Sequence, residues 1–188
     1  QEHAQIRAIL DCWYPGARGG KAIAEALFGE FSPCGKLPVT FYEGTEFLPD
    51  FTDYSMAGRT YRYTDRHVLY PFGYGLSYTT FEQTLKSVDV DLANRTVTAD
   101  ADVTDFGILE PVTVHVTVEN TGTYPVQEAV QVYVRFSERE AYDPGYQLKG
   151  IRSVALECGE KKEVCITLST RDFALISEEG KCLVHPGS

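Results

Sequence analysis

Apolar and polar residues alternate through most of the second half of the chain. In PVTVHVTVEN, Val112, Val114, Val116 and Val118 fall on one side of an extended segment, and Thr113, His115 and Thr117 on the other. The same alternation, or enrichment in β-branched residues, marks FEQTLKSVDVDL from Phe81, TVTADADV from Thr96, EAVQVYVRF from Glu128, YQLKGIRSVAL from Tyr146 and KEVCITLS from Lys162. Turn residues at Asn120–Gly122 and Gly159–Lys161 separate neighbouring runs. Short strands at this spacing predict a two-layer antiparallel sandwich from Phe81 to Gly187, with Val114, Val116, Val132, Val134, Leu156 and Ile166 in its core.

The first 52 residues follow a different pattern. IRAILDCW, from Ile6 to Trp13, is a short apolar run suited to a strand covered on both faces. YPGARGG reads as a turn. From Lys21 to Phe28 a helix is predicted, because Ala22, Ile23, Ala26 and Leu27 recur at spacings of three and four; Gly29 is its expected stop. SPCGKLPVTF then turns into a short extended segment. A strand, a glycine turn and a helix make one α/β unit, which cannot alone bury both faces of its strand.

Between these parts lies DYSMAGRTYRYTDRHVLYPFGYGLSYTTF, dense in Tyr, punctuated by Gly, and carrying Arg59, Arg62 and Arg66. It is too aromatic for a disordered linker and too rich in Gly and Pro for a helix or a regular strand. The expectation is an ordered connector whose rings Tyr61, Tyr63, Tyr70, Phe72 and Tyr74 are largely buried between two bodies. Gly73 and Gly75 would permit close backbone approach or positive φ. The predicted fold is therefore mainly β: an immunoglobulin-like sandwich, preceded by a strand–turn–helix unit and an aromatic connector. Its divisions are 1–52, 53–80 and 81–188.

Charge narrows the function classes. The formal net charge is −10 with Lys and Arg scattered, so no basic face for nucleic acid or polybasic membrane anchor is expected. No apolar run of about 18 residues predicts a transmembrane helix, and QEHAQIRAILDCWYPG lacks a signal-peptide layout. The cysteines, Cys12, Cys34, Cys158, Cys165 and Cys182, are odd in number and form no CxxC pair, so neither a disulfide framework nor a zinc ribbon is read. Cys165, between Val164 and Ile166, is expected to be a small buried thiol. Unpaired thiols lean towards a reducing, cytoplasmic compartment, with a secreted or periplasmic place left open.

GRTYRY and YPFGYGLSYTTF, within the connector, resemble the joint of glycoside hydrolase family 3 between its α/β sandwich domain and its fibronectin type III-like domain. WYPGARGGKAIAEALFGEFSPCGKLPVTF is similar to the family's end of the α/β sandwich, departing from its usual wording at Ala17, Arg18 and Cys34. NTG at Asn120, VQVYV within the fourth run and QLKGIRSVAL at Gln147 resemble markers of the fibronectin-like domain, and FALISEEGKCLVHPG its last hairpin. The family pattern continues with one more edge strand, expected to be missing here. The resemblance implies the C-terminal part of a retaining exo-β-glycosidase, active on terminal non-reducing β-linked sugars of plant-type oligosaccharides. LPDFTDYSMAGRTYRY is closer to the β-xylosidase branch than to the β-glucosidase branch. A non-catalytic immunoglobulin-like module binding carbohydrate or protein is the competing reading, against which the leading α/β unit stands. A structural adhesion domain is a weaker third, since no repeat is present.

A retaining glycosidase needs two carboxyl groups about 5–5.5 Å apart. By the resemblance, the nucleophilic Asp lies on an N-terminal barrel and the acid/base Glu earlier in the α/β sandwich, so no catalytic residue is assigned and the isolated chain is expected to be inactive. The expected partners are that barrel, the remainder of the sandwich and the oligosaccharide; no cofactor is expected. Arg59, Tyr61, Arg62 and Tyr63 are candidate substrate-binding residues, since an aromatic face matches the C–H face of a sugar, although packing of the two parts is the favoured reading. Glu43, Glu46, Asp50 and Asp53 could rim a sugar pocket or line a solvated loop. His3, His67, His115 and His185 have no i, i+4 spacing and no neighbouring Cys or carboxylate pattern, so no metal is read. GARGG lacks the Lys-Ser/Thr of a phosphate loop, and Asn94-Arg95-Thr96 is a glycosylation triplet.

Overall fold

The computed structural model describes residues 6–90, 96–98, 111–136 and 142–184. Eight strands appear among them: β1 Phe81–Val90, β2 Thr96–Thr98, β3 Val112–Asn120, β4 Val126–Arg135, β5 Tyr146–Leu156, β6 Lys161–Leu168, β7 Leu175–Ile176 and β8 Cys182–Leu183. One sheet has the order β2-β1-β3-β6; β4 pairs with β5, and β7 with β8 in a terminal hairpin. All pairings are antiparallel.

The alternating pattern sets which side chains meet. Val112, Val114, Val116 and Val118 of β3 face inward with Val164, Ile166 and Leu168 of β6. Val130 and Val134 of β4 and Leu156 of β5 close over them from the second sheet, with Val132 packed at the margin. Fully burying one such side chain is worth roughly 1.5–3 kcal/mol. At Gly150 the layers approach closely, since a Cβ there would overlap Ile166. Five of the six expected core residues are buried and Val132 is only partly so, while the core extends to Phe136 and Leu175.

Two bulges bend the sheets. Lys86 is the extra residue between Leu85 and Ser87 in the β1–β3 ladder. In the β4–β5 ladder the register shifts between Val132 and Tyr133, so that Tyr133 lies opposite Leu148 and Val134 opposite Gln147. A bulge twists its strand locally and re-aims side chains. Here the second one lies beside Tyr133, whose ring meets Tyr146 at 5.6 Å between centroids.

The helix α1 runs Gly19–Leu27 and ends as its sequence demands. Gly29 has φ +77; its N–H donates to Ala26 O, and that of Glu30 to Glu25 O. These two bonds satisfy carbonyls that the helix end would otherwise leave open. A four-residue helical turn, α2, spans Thr60–Tyr63.

Two expectations are corrected. Residues 6–13 form neither strand nor helix, Trp13 ends the run at φ +45, and Ile9 is 65% exposed. A strand exists only through ladder bonds to a neighbour, and among the described residues none lies beside this run. Cys165 is exposed, on the opposite side of β6 from Ile166. Its flanking residues take the inward positions, and a period of two leaves Cys165 outside. All five cysteines are free thiols. Asn94 and Arg95 of the triplet, and His3 and His185, lie outside the described residues.

Candidate functional site, an aromatic joint

Tyr61 is the hub of the connector. Its ring stacks on Phe72 with centroids 4.1 Å apart and planes 13° apart. Tyr133 meets it edge-on at 6.2 Å, and Tyr146 lies tilted at 5.4 Å. The Tyr61 hydroxyl accepts the Leu148 N–H at 3.0 Å, and the Arg62 carbonyl accepts the Gly145 N–H at 2.6 Å. The helical turn α2 is therefore bonded to the start of β5 and packed on the outer side of β4. Thr60 enters that turn at φ +55 while its N–H donates to the Tyr42 hydroxyl, 2.8 Å away.

The other side of the connector is bonded to the N-terminal segment. Leu37 N donates to Tyr74 O and Gly73 N to Leu37 O, at 2.8 and 2.7 Å. Phe41 and Tyr70 form an antiparallel bridge, and Trp13 tilts against Phe41. The two glycines show why no side chain fits. Gly73 has φ +78, and a Cβ there would sit 2.5 Å from the Tyr133 hydroxyl; one on Gly75 would overlap the Gly35 carbonyl.

Two polar knots tie these pieces to the sandwich. Glu128 lies between Val126 and Val130 on the core-facing side of β4 and is buried. Its Oε1 meets Lys36 Nζ at 3.1 Å and accepts from Gln83 Nε2 at 3.1 Å, while Lys36 also donates to Gly75 O. In the second knot, buried Asn120 accepts from the Thr79 hydroxyl and the Gly122 N–H, and donates to Tyr124 O. Tyr78 extends this contact to α1 by donating to Ala26 O at 2.9 Å.

The candidate residues are engaged mainly with the connector's own backbone and with near neighbours. Arg59 spends its guanidinium on the carbonyls of Asp50, Asp53 and Ser55. Arg62 lies 5.8 Å from the Tyr61 ring centroid and Tyr63 is half-buried. The acidic residues have local partners: Glu43 with His67 at 2.7 Å, Asp50 with Thr52 and Asp53 with Ser55. Hydrogen bonds from Thr52 hold the Asp50 carboxyl below its ordinary range, and those from Ser55 do the same for Asp53. Glu46 sits in a short 3-10 turn at Thr45–Phe47.

The rings are less buried than the pattern predicts. Tyr61, Tyr63, Tyr70 and Phe72 are half-buried, and Tyr74 is exposed at 39%. The connector covers the sandwich as an outer layer, so each ring keeps an edge in water. Linear reading missed the Lys36–Glu128 pair, because residues 92 positions apart carry no shared local signal. It also missed a cluster of metal-ligand types: His115, Glu163 and Cys165 converge on the outer side of β3 and β6, with their ligand atoms within 4.8 Å of one another. The expectation of no Cys or carboxylate near a histidine is corrected at this point, since strand pairing supplies neighbours that spacing along one strand does not.

Residues 1–78 match the Glycosyl hydrolase family 3 C-terminal domain, and residues 128–188 the Fibronectin type III-like domain. A xylan 1,4-beta-xylosidase of Xylanibacter ruminicola is 46% identical over 145 residues, covering 77% of this chain and 14% of that protein. A periplasmic beta-glucosidase of Salmonella typhimurium is 34% identical over 100% of this chain and 24% of its own length. Among solved structures, a beta-glucosidase from Listeria innocua superposes with TM-score 0.71 at 27% identity, over 93% of this chain and 24% of that one. A beta-glucosidase from Kluyveromyces marxianus gives 0.70 at 33% identity, over 89% and 20%. The chain thus spans about a quarter or less of the length of the curated relatives it matches. With both matches lying in the order in which the joint connects them, the chain belongs to glycosyl hydrolase family 3, as its C-terminal domain sequence and fibronectin type III-like domain.

Proposed function

We propose that the whole protein is a retaining exo-β-glycosidase that removes terminal non-reducing β-linked sugars from plant-type oligosaccharides. β-Xylosidase is the favoured specificity and β-glucosidase the next. The observation that carries this reading is the 46% identity to a xylan 1,4-beta-xylosidase, across 77% of the chain. The reacting carboxylates would come from a barrel and an earlier part of the α/β domain, which would also cover the exposed Ile6, Ile9 and Trp13. The divisions at 1–52, 53–80 and 81–188 follow the same reading.

In this reading the present chain is scaffold. Tyr61 and Arg62 hold the connector on the sandwich, Arg59 ties the loop before it, and these residues with Tyr63 are not a sugar subsite. The stacking of Tyr61 on Phe72 and the three carbonyls around Arg59 support this. The test compares the 188-residue chain with the protein carrying its barrel, on nitrophenyl β-xyloside and β-glucoside. Turnover by the longer protein alone, faster on the xyloside, is expected. Turnover by the 188-residue chain that survives repurification overturns the scaffold reading, and preference for the glucoside overturns the specificity.

A further inference from the structure

The outer side of the β1–β3–β6 sheet carries an arrangement that glycoside chemistry does not use. The β3–β6 register places His115 directly opposite Cys165, and Glu163 projects from the same side of β6 two residues earlier. His115 Nδ1 lies 2.9 Å from Glu163 Oε1 and 3.3 Å from Cys165 Sγ, and Sγ lies 3.8 Å from that same oxygen. Three different donor atoms therefore meet at one point. Tetrahedral zinc has bonds of about 2.0–2.3 Å, which set ligand–ligand edges at about 3.3–3.8 Å. The 3.3 and 3.8 Å separations fall on those edges, and the 2.9 Å Nδ1–Oε1 pair would open by about 0.4 Å to reach them.

We propose that His115, Glu163 and Cys165 form a surface site for a borderline-soft divalent cation, Zn2+ being the best match, with water in the fourth position. The donor set selects against Mg2+ and Ca2+, which take oxygen ligands. A thiolate and a carboxylate together balance the charge of the ion, and neutral imidazole completes the protein's share. Cys165 and Glu163 are exposed, so an ion reaches them from solvent. A nucleophilic thiol relay is the other chemistry such residues perform, but it needs the sulfur and the carboxylate on opposite ring nitrogens. Here both face Nδ1, which fits convergence on an ion and not a relay.

The experiment titrates the reduced 188-residue chain with Co2+, followed by displacement with Zn2+. One Co2+ per chain with a sulfur-to-cobalt charge-transfer band is expected, and the band should disappear in Cys165→Ser. His115→Ala and Glu163→Gln should weaken Zn2+ binding by at least about 10–100-fold, the loss already typical of outer-shell partners. Zn2+ should also raise the melting temperature of the parent and leave that of Cys165→Ser unchanged. Both Cys165 and Glu163 are exposed, so their variants should melt like the parent without metal. If Cys165→Ser fails to fold, the Zn2+ affinity of Glu163→Gln carries the same comparison. Absence of the sulfur band at saturating Co2+, or a band of equal strength in Cys165→Ser, overturns the proposal.

Discussion

Lys36 places its ammonium 3.1 Å from the Glu128 carboxylate, joining the segment after α1 to the core-facing side of β4. The side chains are only 16% and 4% exposed, so neither charge is well hydrated. Glu128 Oε2 is buried with no hydrogen-bond partner, which leaves Oε1 to carry the pairing with both Lys36 and Gln83. An acid at this position tolerates burial because a cation is delivered to it, and that delivery requires the connector to hold residues 35–37 against Gly73–Gly75.

Removing one partner of this pair should be more damaging than removing both. Lys36→Met leaves a buried, uncompensated carboxylate, and breaking such a pair typically costs about 3–5 kcal/mol. Lys36→Met combined with Glu128→Leu should recover most of that loss. Urea unfolding of the two variants provides the measurement. A single variant as stable as the parent would show that the pair contributes nothing.

Val134→Asp should unfold the sandwich. Val134 lies in the core between the sheets, where a carboxylate finds no described cationic partner. The expected loss exceeds about 4 kcal/mol, the range reached only by such disruptive substitutions. Near-UV circular dichroism and thermal melting both report it, and a melting temperature within a degree or two of the parent's contradicts the assigned facing.

The joint reading separates Tyr61 from its neighbour. Tyr61→Ala deletes a stacked ring and the acceptor for Leu148 N, and should destabilise the chain by up to about 3 kcal/mol, the lower end for a core aromatic. Tyr63→Ala, at a half-buried position, should cost less. In the longer protein proposed above, both changes should lower stability more than any turnover by molecules that remain folded. Full stability with raised KM alone would instead identify a sugar subsite.

Alkaline pH should loosen the same joint. Partial burial raises the Tyr133 pKa above its ordinary 10.0, with smaller contributions from Tyr61 and Tyr146. Folding then favours the protonated phenol. Its contribution is complete below the unfolded value and fades as pH rises through the folded one. The melting temperature should therefore fall above about pH 10, and less steeply in Tyr133→Phe. Parallel curves for parent and variant would remove Tyr133 as the source.

Much of the fold was legible locally. Alternation in PVTVHVTVEN, VQVYV and VCITL specified strands and their inward faces, because a period of two allows one side alone to be apolar. Gly29 announced the end of α1, since the closing turn needs positive φ. Gly73 and Gly75 likewise stood where a Cβ has no room. IRAILDCW was one misreading: its composition suits a strand, but ladder bonds come from a neighbour that composition cannot provide.

What remained for tertiary structure was every relationship across the chain. Only folding sets Lys36 beside Glu128, Tyr61 on Phe72 and Tyr133, and His115 opposite Cys165. Sequence by itself determined which residues point inward, because periodicity is a property of one segment. Which outward residues meet was decided by register and by the path of the connector, and contacts between distant segments leave no periodic trace in either one.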